Sequence, residues 1–230
     1  MLPTDLLSAD LPTYIERFAH SFDTEEIVVF DTETTGLNVF EDDIVQIAAV
    51  KMRAGRVLEG SAFNVFIKTE RPIPAMLGDI PNPIVAELQR NTCLPAAQAL
   101  QNFMQYVGDS VLLAHNADFD YNILRFNLQR YCPSIDLHAT HPTYFDSLKI
   151  IRLLQPGLKQ YKLKALLEVL HLEGTNSHLA DEDVQATVSL VGYCRQKAAK
   201  TIPAQQQFLA RQRVQHCAAA FRANADRKSV

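Results

Sequence analysis

The sequence predicts an α/β fold, and three features carry that prediction. Ile27-Val28-Val29-Phe30 is a β-branched and aromatic run with the character of a buried strand. Val111-Leu112-Leu113-Ala114 is a second such run, and it passes directly into a helical pattern over about 118–131, the strand-to-helix order of a parallel α/β arrangement. Between them, residues 44–53 and 56–68 form strand-like segments joined at Ala54-Gly55, as in a hairpin stacked beside the first strand. A chain of 230 residues, 47% apolar and 21% charged, can bury a sizeable core and has the composition of an ordinary globular protein.

The other elements follow in chain order. Leu11, Ile15, Phe18 and Phe22 give residues 11–22 a helical period that packs an N-terminal helix on the domain. Pro72, Pro74, Pro81 and Pro83 mark a loop, after which Leu100, Phe103, Met104 and Val107 recur at helical spacing over 94–107. Tyr144-Phe145 is a short fifth strand. Residues 147–154 and 162–170 are short helices separated by Pro156-Gly157, and 179–199 is a longer one. Beyond Pro203 the chain is rich in Ala, Gln and Arg with few apolar anchors, and reads as helical and poorly buried. The expected organisation is an N-terminal helical extension (1–26), a catalytic body (27–194) and a basic C-terminal extension (195–230).

The formal net charge of −4 is unevenly distributed. Residues 1–194 carry 14 Lys+Arg against 25 Asp+Glu, whereas residues 195–230 carry 8 basic residues against Asp226 alone. An acidic body repels a polyanion unless its carboxylates gather around cations. None of the eight glycines falls in a G-x-G-x-x-G pattern, and the stretch from Gly55 to Ser61 lacks the lysine of a phosphate-binding loop, so both nucleotide fingerprints are excluded. The four cysteines are scattered without a C-x-x-C pair, which suits a reduced, cytoplasmic chain. Asp5 and Asp10 stand where a secretory signal would be basic, and the apolar runs are too short to span a bilayer, so neither export nor membrane insertion is expected.

Three acidic segments carry the chemistry. In Asp31-Thr32-Glu33, alternation along a strand projects both carboxylates from one face. Two carboxylates in one place repel unless a positive charge sits between them, and a hard cation such as Mg²⁺ or Mn²⁺ suits oxygen ligands. The same tripeptide could equally end a strand in solvent. In Asn116-Ala117-Asp118-Phe119-Asp120, Asp118 has the character of an N-cap and Asp120 sits in the first turn, where the helix dipole alone favours a carboxylate. Yet this helix begins where a buried strand ends, the place at which open α/β sheets present ligand sites. In His178-Leu179-Ala180-Asp181-Glu182-Asp183, a histidine before a helix and an aspartate one turn into it can face a common point, as a general base beside a metal ligand. Asp181 and Glu182 point elsewhere and complement the dipole.

The D-x-E, N-A-x-F-D and H-x-x-x-x-D segments, in this order, resemble the three motifs of the DnaQ-like, DEDDh 3′-5′ exonucleases, the group that contains the proofreading subunit of bacterial replicative DNA polymerase. The resemblance runs from about Ile27 to Tyr193 and takes in Tyr144-Phe145-Asp146-Ser147-Leu148 with Tyr161-Lys162-Leu163. It implies a ribonuclease H-like fold with a mixed five-stranded sheet flanked by helices, residues 44–53 running antiparallel. By the same resemblance Asp31, Glu33, Asp120 and Asp183 bind two divalent ions, Mg²⁺ or Mn²⁺, and His178 is the general base. Thr35, Gly36 and Leu37 lie against the 3′-terminal nucleotide, with Asn116 and Phe119 near the bound strand. The tyrosine branch of the superfamily would need tyrosine at position 179, which is Leu179, and Val184 stands where many members have alanine.

The implied activity is removal of nucleoside 5′-monophosphates from the 3′ end of DNA, single-stranded or frayed. RNA trimming by the same residues is the alternative, since a 2′-OH contact is not legible in sequence. A phosphatase with a covalent aspartyl-phosphate would carry a second aspartate where this chain has Glu33, and a binding module that had lost catalysis would lack some of the acidic residues. The tail after Cys194 reads as a solvated helix or as a contact for nucleic acid or for a polymerase, helicase or other repair partner.

Overall fold

The computed structural model describes residues 11–226 other than residue 176, with side chains described from 13 to 203. The chain runs α1 (Leu11–Thr24), β1 (Glu26–Thr34), β2 (Ile44–Arg53), β3 (Arg56–Val57), β4 (Phe63–Ile67), β5 (Met76–Leu77), β6 (Ile80–Pro81), α2 (Pro83–Arg90), β7 (Cys93–Leu94), α3 (Ala96–Val107), β8 (Val111–Ala114), α4 (Ala117–Tyr131), α5 (Leu137–Thr140), β9 (Tyr144–Asp146), α6 (Ser147–Leu154), α7 (Leu163–Leu170) and α8 (Ala180–Asp226). The main sheet has the order β7-β4-β2-β1-β8-β9, with β3 also beside β2. β1, β8 and β9 are parallel, and β2 is antiparallel to both β1 and β4.

The four apolar residues that open β1 explain the layering. Ile27 and Val29 pack with Phe18 of α1, Ile150 of α6, Leu166 of α7 and Val191 of α8. Val28 and Phe30 face the opposite way, onto Phe103 of α3 and Leu124 of α4. A strand that is apolar at every position is one buried on both faces, and β1 accordingly sits between two helical layers. The same alternation continues into the polar end: Asp31 and Glu33 inherit the α8 face, and Thr32 inherits the α4 face.

The hairpin expected at Ala54-Gly55 is present, with Arg53 opposite Arg56 and positive φ at both turn residues, 48° and 74°. The segment beyond it is not one strand. It breaks after β3 at Gly60 (φ 70°) and re-forms as β4, and both pieces pair with β2. Two two-residue strands, β3 and β7, therefore raise the sheet from five strands to seven. The helix expected over 94–107 starts at Ala96, because Cys93 and Leu94 are claimed by pairing with β4. The proline-marked loop holds the β5–β6 hairpin and then α2, whose first turn is capped by the Asn82 side chain accepting from the Ile84 N–H at 3.3 Å.

α8 does not end near Ala199 but continues through Pro203 to Asp226, into an Ala- and Gln-rich stretch of high helix propensity. The expected boundary at Cys194 thus falls inside a continuous helix, where Arg195 pairs with Asp23 of α1. α1 itself contributes Ile15, Phe18 and Phe22 to the core, and Phe18 meets Phe145 edge-on at 5.8 Å between ring centroids. Among the described residues no helix is long and apolar enough to cross a membrane. Phe18→Ala removes a fully buried ring and is expected to cost about 3–5 kcal/mol, read as a lowered denaturation midpoint in urea; a midpoint shift below about 1 kcal/mol would show α1 to be dispensable.

Candidate active site

At the polar end of β1, single oxygen atoms of Asp31, Glu33 and Asp183 lie within 4.8 Å of one another. Asp31 and Glu33 are half-buried and Asp183 is 6% exposed. The fourth expected carboxylate, Asp120, is 4% exposed and reaches β1 from the α4 side, accepting from the Thr32 N–H at 3.1 Å and the Thr32 hydroxyl at 2.7 Å. The strand's alternation thus brings two carboxylates to α8 and ties the residue between them to the acid on α4.

The four carboxyls feel one another's charge. Burial pushes Asp31 well above the usual carboxylate range, and the charges of Asp120, Glu33 and Asp183 push it further. Burial and then the charges of Asp183 and Asp120 raise Glu33 to about 8. Burial raises Asp120 to about 7 against the opposing hydrogen bonds from Thr32. Such a set holds protons or cations at neutral pH, and its all-oxygen donors fit a hard divalent ion.

His178 lies five residues before Asp183, in the loop that enters α8, with a left-handed backbone (φ 61°). Its ring is exposed and makes no hydrogen bond or ion pair among the described residues. The neighbouring Ser177 N–H donates to Asp183 Oδ1 at 3.2 Å and so fastens that loop to the cluster. The expected strand contacts are placed unevenly. Leu37 is 87% exposed, Phe119 is half-buried on α4, and Asn116 is exposed in a left-handed turn (φ 64°). Thr35 is buried, its hydroxyl donating to Asp42 at 2.8 Å and accepting from the Asp43 N–H at 3.0 Å, so its side chain braces the loop. A side chain on Gly36 would come within 2.6 Å of the same Asp42 carboxylate, which explains glycine there.

Two positioning elements are given no role in the motif reading. Gln46, fully buried and opposite Glu33 in the β1–β2 register, accepts from the Ala180 N–H at 3.2 Å and donates to Asp181 at 3.4 Å. It pins the first turn of α8, and the signal for it is a lone amide in an otherwise apolar strand. Asp146 accepts from the backbone N–H of Asn116 at 3.0 Å and of Leu148 at 2.9 Å, while His115 bonds Ser147 Oγ and the Tyr161 carbonyl. These contacts hold the turn that launches α4, and they account for the segment linking the second and third motifs.

Carboxyls that bind protons more tightly when folded give the native state the greater proton count, so stability falls as pH rises. For Glu33 the window runs from its usual 4.5 to about 8, and for Asp120 from 3.8 to about 7. The melting temperature of chelator-treated protein is therefore expected to fall across that window, and added Mg²⁺ or Mn²⁺ to raise it more at the alkaline end. A calorimetric pH series checks this; a flat profile, or an ion effect confined to acid pH, contradicts it.

Comparison with known proteins places this geometry. The sequence matches the exonuclease family (RNase_T) over residues 28–191. It is 33% identical over 181 residues to the PolC-type DNA polymerase III of Latilactobacillus sakei, covering 77% of this chain and 12% of that one. It is 32% identical over 188 residues to the PolC-type DNA polymerase III of Clostridium perfringens, covering 81% and 12%. The chain thus spans about an eighth of the length of these relatives. Its fold is similar to that of Escherichia coli exonuclease I in complex with a dT13 oligonucleotide, with a TM-score of 0.63 at 21% identity, over 79% of this chain and 43% of that one. The mixed sheet flanked by helices is the ribonuclease H-like fold expected from the motifs, and the chain belongs to the exonuclease family.

Proposed function

We propose that this chain is a 3′-5′ exonuclease that removes nucleoside 5′-monophosphates from the 3′ end of single-stranded or frayed DNA, with residues 27–194 as its catalytic unit. The observation that carries the reading is the gathering of Asp31, Glu33 and Asp183 within 4.8 Å at the end of the central strand, with Asp120 buried against it. DNA is favoured because the curated relatives are DNA polymerases and the similar solved structure holds a dT13 oligonucleotide.

The four carboxylates would hold two divalent cations, Mg²⁺ or Mn²⁺, and such ions supply alignment of a water and stabilisation of the attacking and leaving oxygens of a phosphodiester. His178, solvent-exposed beside the cluster's helix, takes the proton of the attacking water. The water oxygen bonds to the terminal phosphorus, and the bond from that phosphorus to the 3′ oxygen of the preceding nucleotide breaks. One nucleotide leaves as its 5′-monophosphate, and the shortened strand keeps a 3′ hydroxyl. In this reading Leu37, Asn116 and Phe119 meet the terminal nucleotides; the exposure of Leu37 and Asn116 supports this, and Thr35 and Gly36 shape the loop beneath. The thiols of Cys93, Cys132 and Cys194 are free, which suits a cytoplasmic protein, and the basic segment 195–230 offers a contact to the nucleic acid or a replication partner.

With Mg²⁺ or Mn²⁺, the purified chain is expected to shorten 5′-labelled single-stranded DNA nucleotide by nucleotide and to act more slowly on a matched RNA. Asp31→Ala should abolish the ladder, and His178→Ala should lower kcat by roughly 10²–10⁴-fold. An Asp31→Ala protein that digests as fast as the parent refutes the assignment, and faster digestion of RNA shifts it to an exoribonuclease.

A further inference from the structure

Phe40 is 66% exposed, on the loop that leads from β1 to β2. The loop is rigidly built. The Phe40 N–H donates to Asn38 Oδ1 at 3.1 Å, the Asn38 N–H donates to Asp42 at 2.8 Å, and Arg130 of α4 donates to the Phe40 carbonyl at 2.9 Å. Arg130 is held in turn by an ion pair with the buried carboxylate of Asp43. Phe40 is thereby presented to solvent at no further ordering cost.

The Phe40 ring meets Phe126 with centroids 4.6 Å apart at 53°. Phe126 follows Phe119 by seven residues on α4 with Asn122 between them, so the three share one helix face, and the two rings lie roughly 10 Å apart along the axis. The Arg125 guanidinium stands 5.4 Å from the Phe126 centroid, makes no ion pair among the described residues, and its buried Nε has no hydrogen-bond partner.

We infer that Phe40 and Phe126, with Arg125 beside them, form a stacking platform for bases of the polynucleotide lying upstream of the 3′ end. The inference rests on the reaction proposed above. An exposed ring on a half-buried one, beside a guanidinium without an ion pair among the described residues, suits a chain that alternates π-faces with phosphates, and every base has a π-face, so the platform is sequence-neutral. Position supports a strand rather than a protein partner. Phe40 shares its loop with the exposed Leu37, and Phe126 shares its helix face with Phe119, so the surface adjoins the side chains proposed to meet the terminal nucleotides. Exposed Glu41 beside Phe40 disfavours simple phosphate attraction there and leaves stacking as the main contact.

The test compares the full-length parent chain with Phe40→Ala and Phe40→Trp. Binding of a labelled long oligothymidylate is followed by fluorescence anisotropy, and the KM for that strand is set against the KM for a thymidine dinucleotide. Phe40→Ala is expected to weaken long-strand binding about tenfold and to raise the long-strand KM by a similar factor relative to the dinucleotide, and Phe40→Trp to restore both. Arg125→Gln should lower the slope of log affinity against log salt by about one. Unchanged affinity in Phe40→Ala, or a Phe40→Trp protein that binds no better than Phe40→Ala, overturns the platform. Failure of the parent to cleave either substrate refutes the proposed reaction instead, and the anisotropy result then decides the platform by itself.

Discussion

The mutual repulsion of four buried or half-buried carboxylates at the end of β1 is the constraint around which this fold is arranged. Left to relax, Asp31, Glu33, Asp120 and Asp183 would separate until each reached solvent. Three features prevent that. β1 is paired with β2 through Asp31 and Glu33 and is anchored upstream on its other edge, where Ile27–Val29 pair with β8. Thr32 ties Asp120 through two hydrogen bonds. Gln46 anchors the first turn of α8 from the strand next door, so the helix bearing Asp183 keeps its register against Glu33. Burial first, and for Glu33 then the charges of Asp183 and Asp120, raise Glu33 to about 8 and Asp120 to about 7, a cost that protons or cations relieve.

The ion pairs of the described residues gather on a few carboxylates away from the end of β1. Asp43 takes Arg130 and Arg71 together with the hydroxyls of Tyr131 and Thr69. Glu26 takes Lys51, Arg53 and Ser110, and Asp23 takes Arg195. None of the ion pairs among the described residues reaches Asp31, Glu33 or Asp120. These cations brace loops and strand ends.

Much of this was legible in the sequence, for a physical reason. The run from Ile27 to Glu33 encodes both its double-sided burial and the shared face of its carboxylates, because strand alternation is a local property. The Ala54-Gly55 hairpin and the passage from Val111 into α4 are likewise local. What escaped was decided by contacts across the chain. β7 exists because Cys93 and Leu94 find an edge at β4, and nothing in two residues announces it. Gln46 stands out as an amide among apolar residues, but its partner is 134 positions away. The persistence of α8 past Pro203 shows the converse, local propensity prevailing over a residue that removes one backbone donor.

Under the proposed reading, substrate and site share one sign of charge, and this shapes how a strand is held. A phosphodiester approaching the cluster would meet carboxylate oxygens, so its attraction there would pass through the cations proposed to sit among them. Grip at the terminal nucleotide is then inseparable from ion loading. Grip farther along the strand is not bound by that coupling, because aromatic stacking needs no counter-charge. Under the proposed reading, carboxylates at the end of β1 and an aromatic pair on the adjoining loop and helix separate the two tasks in space.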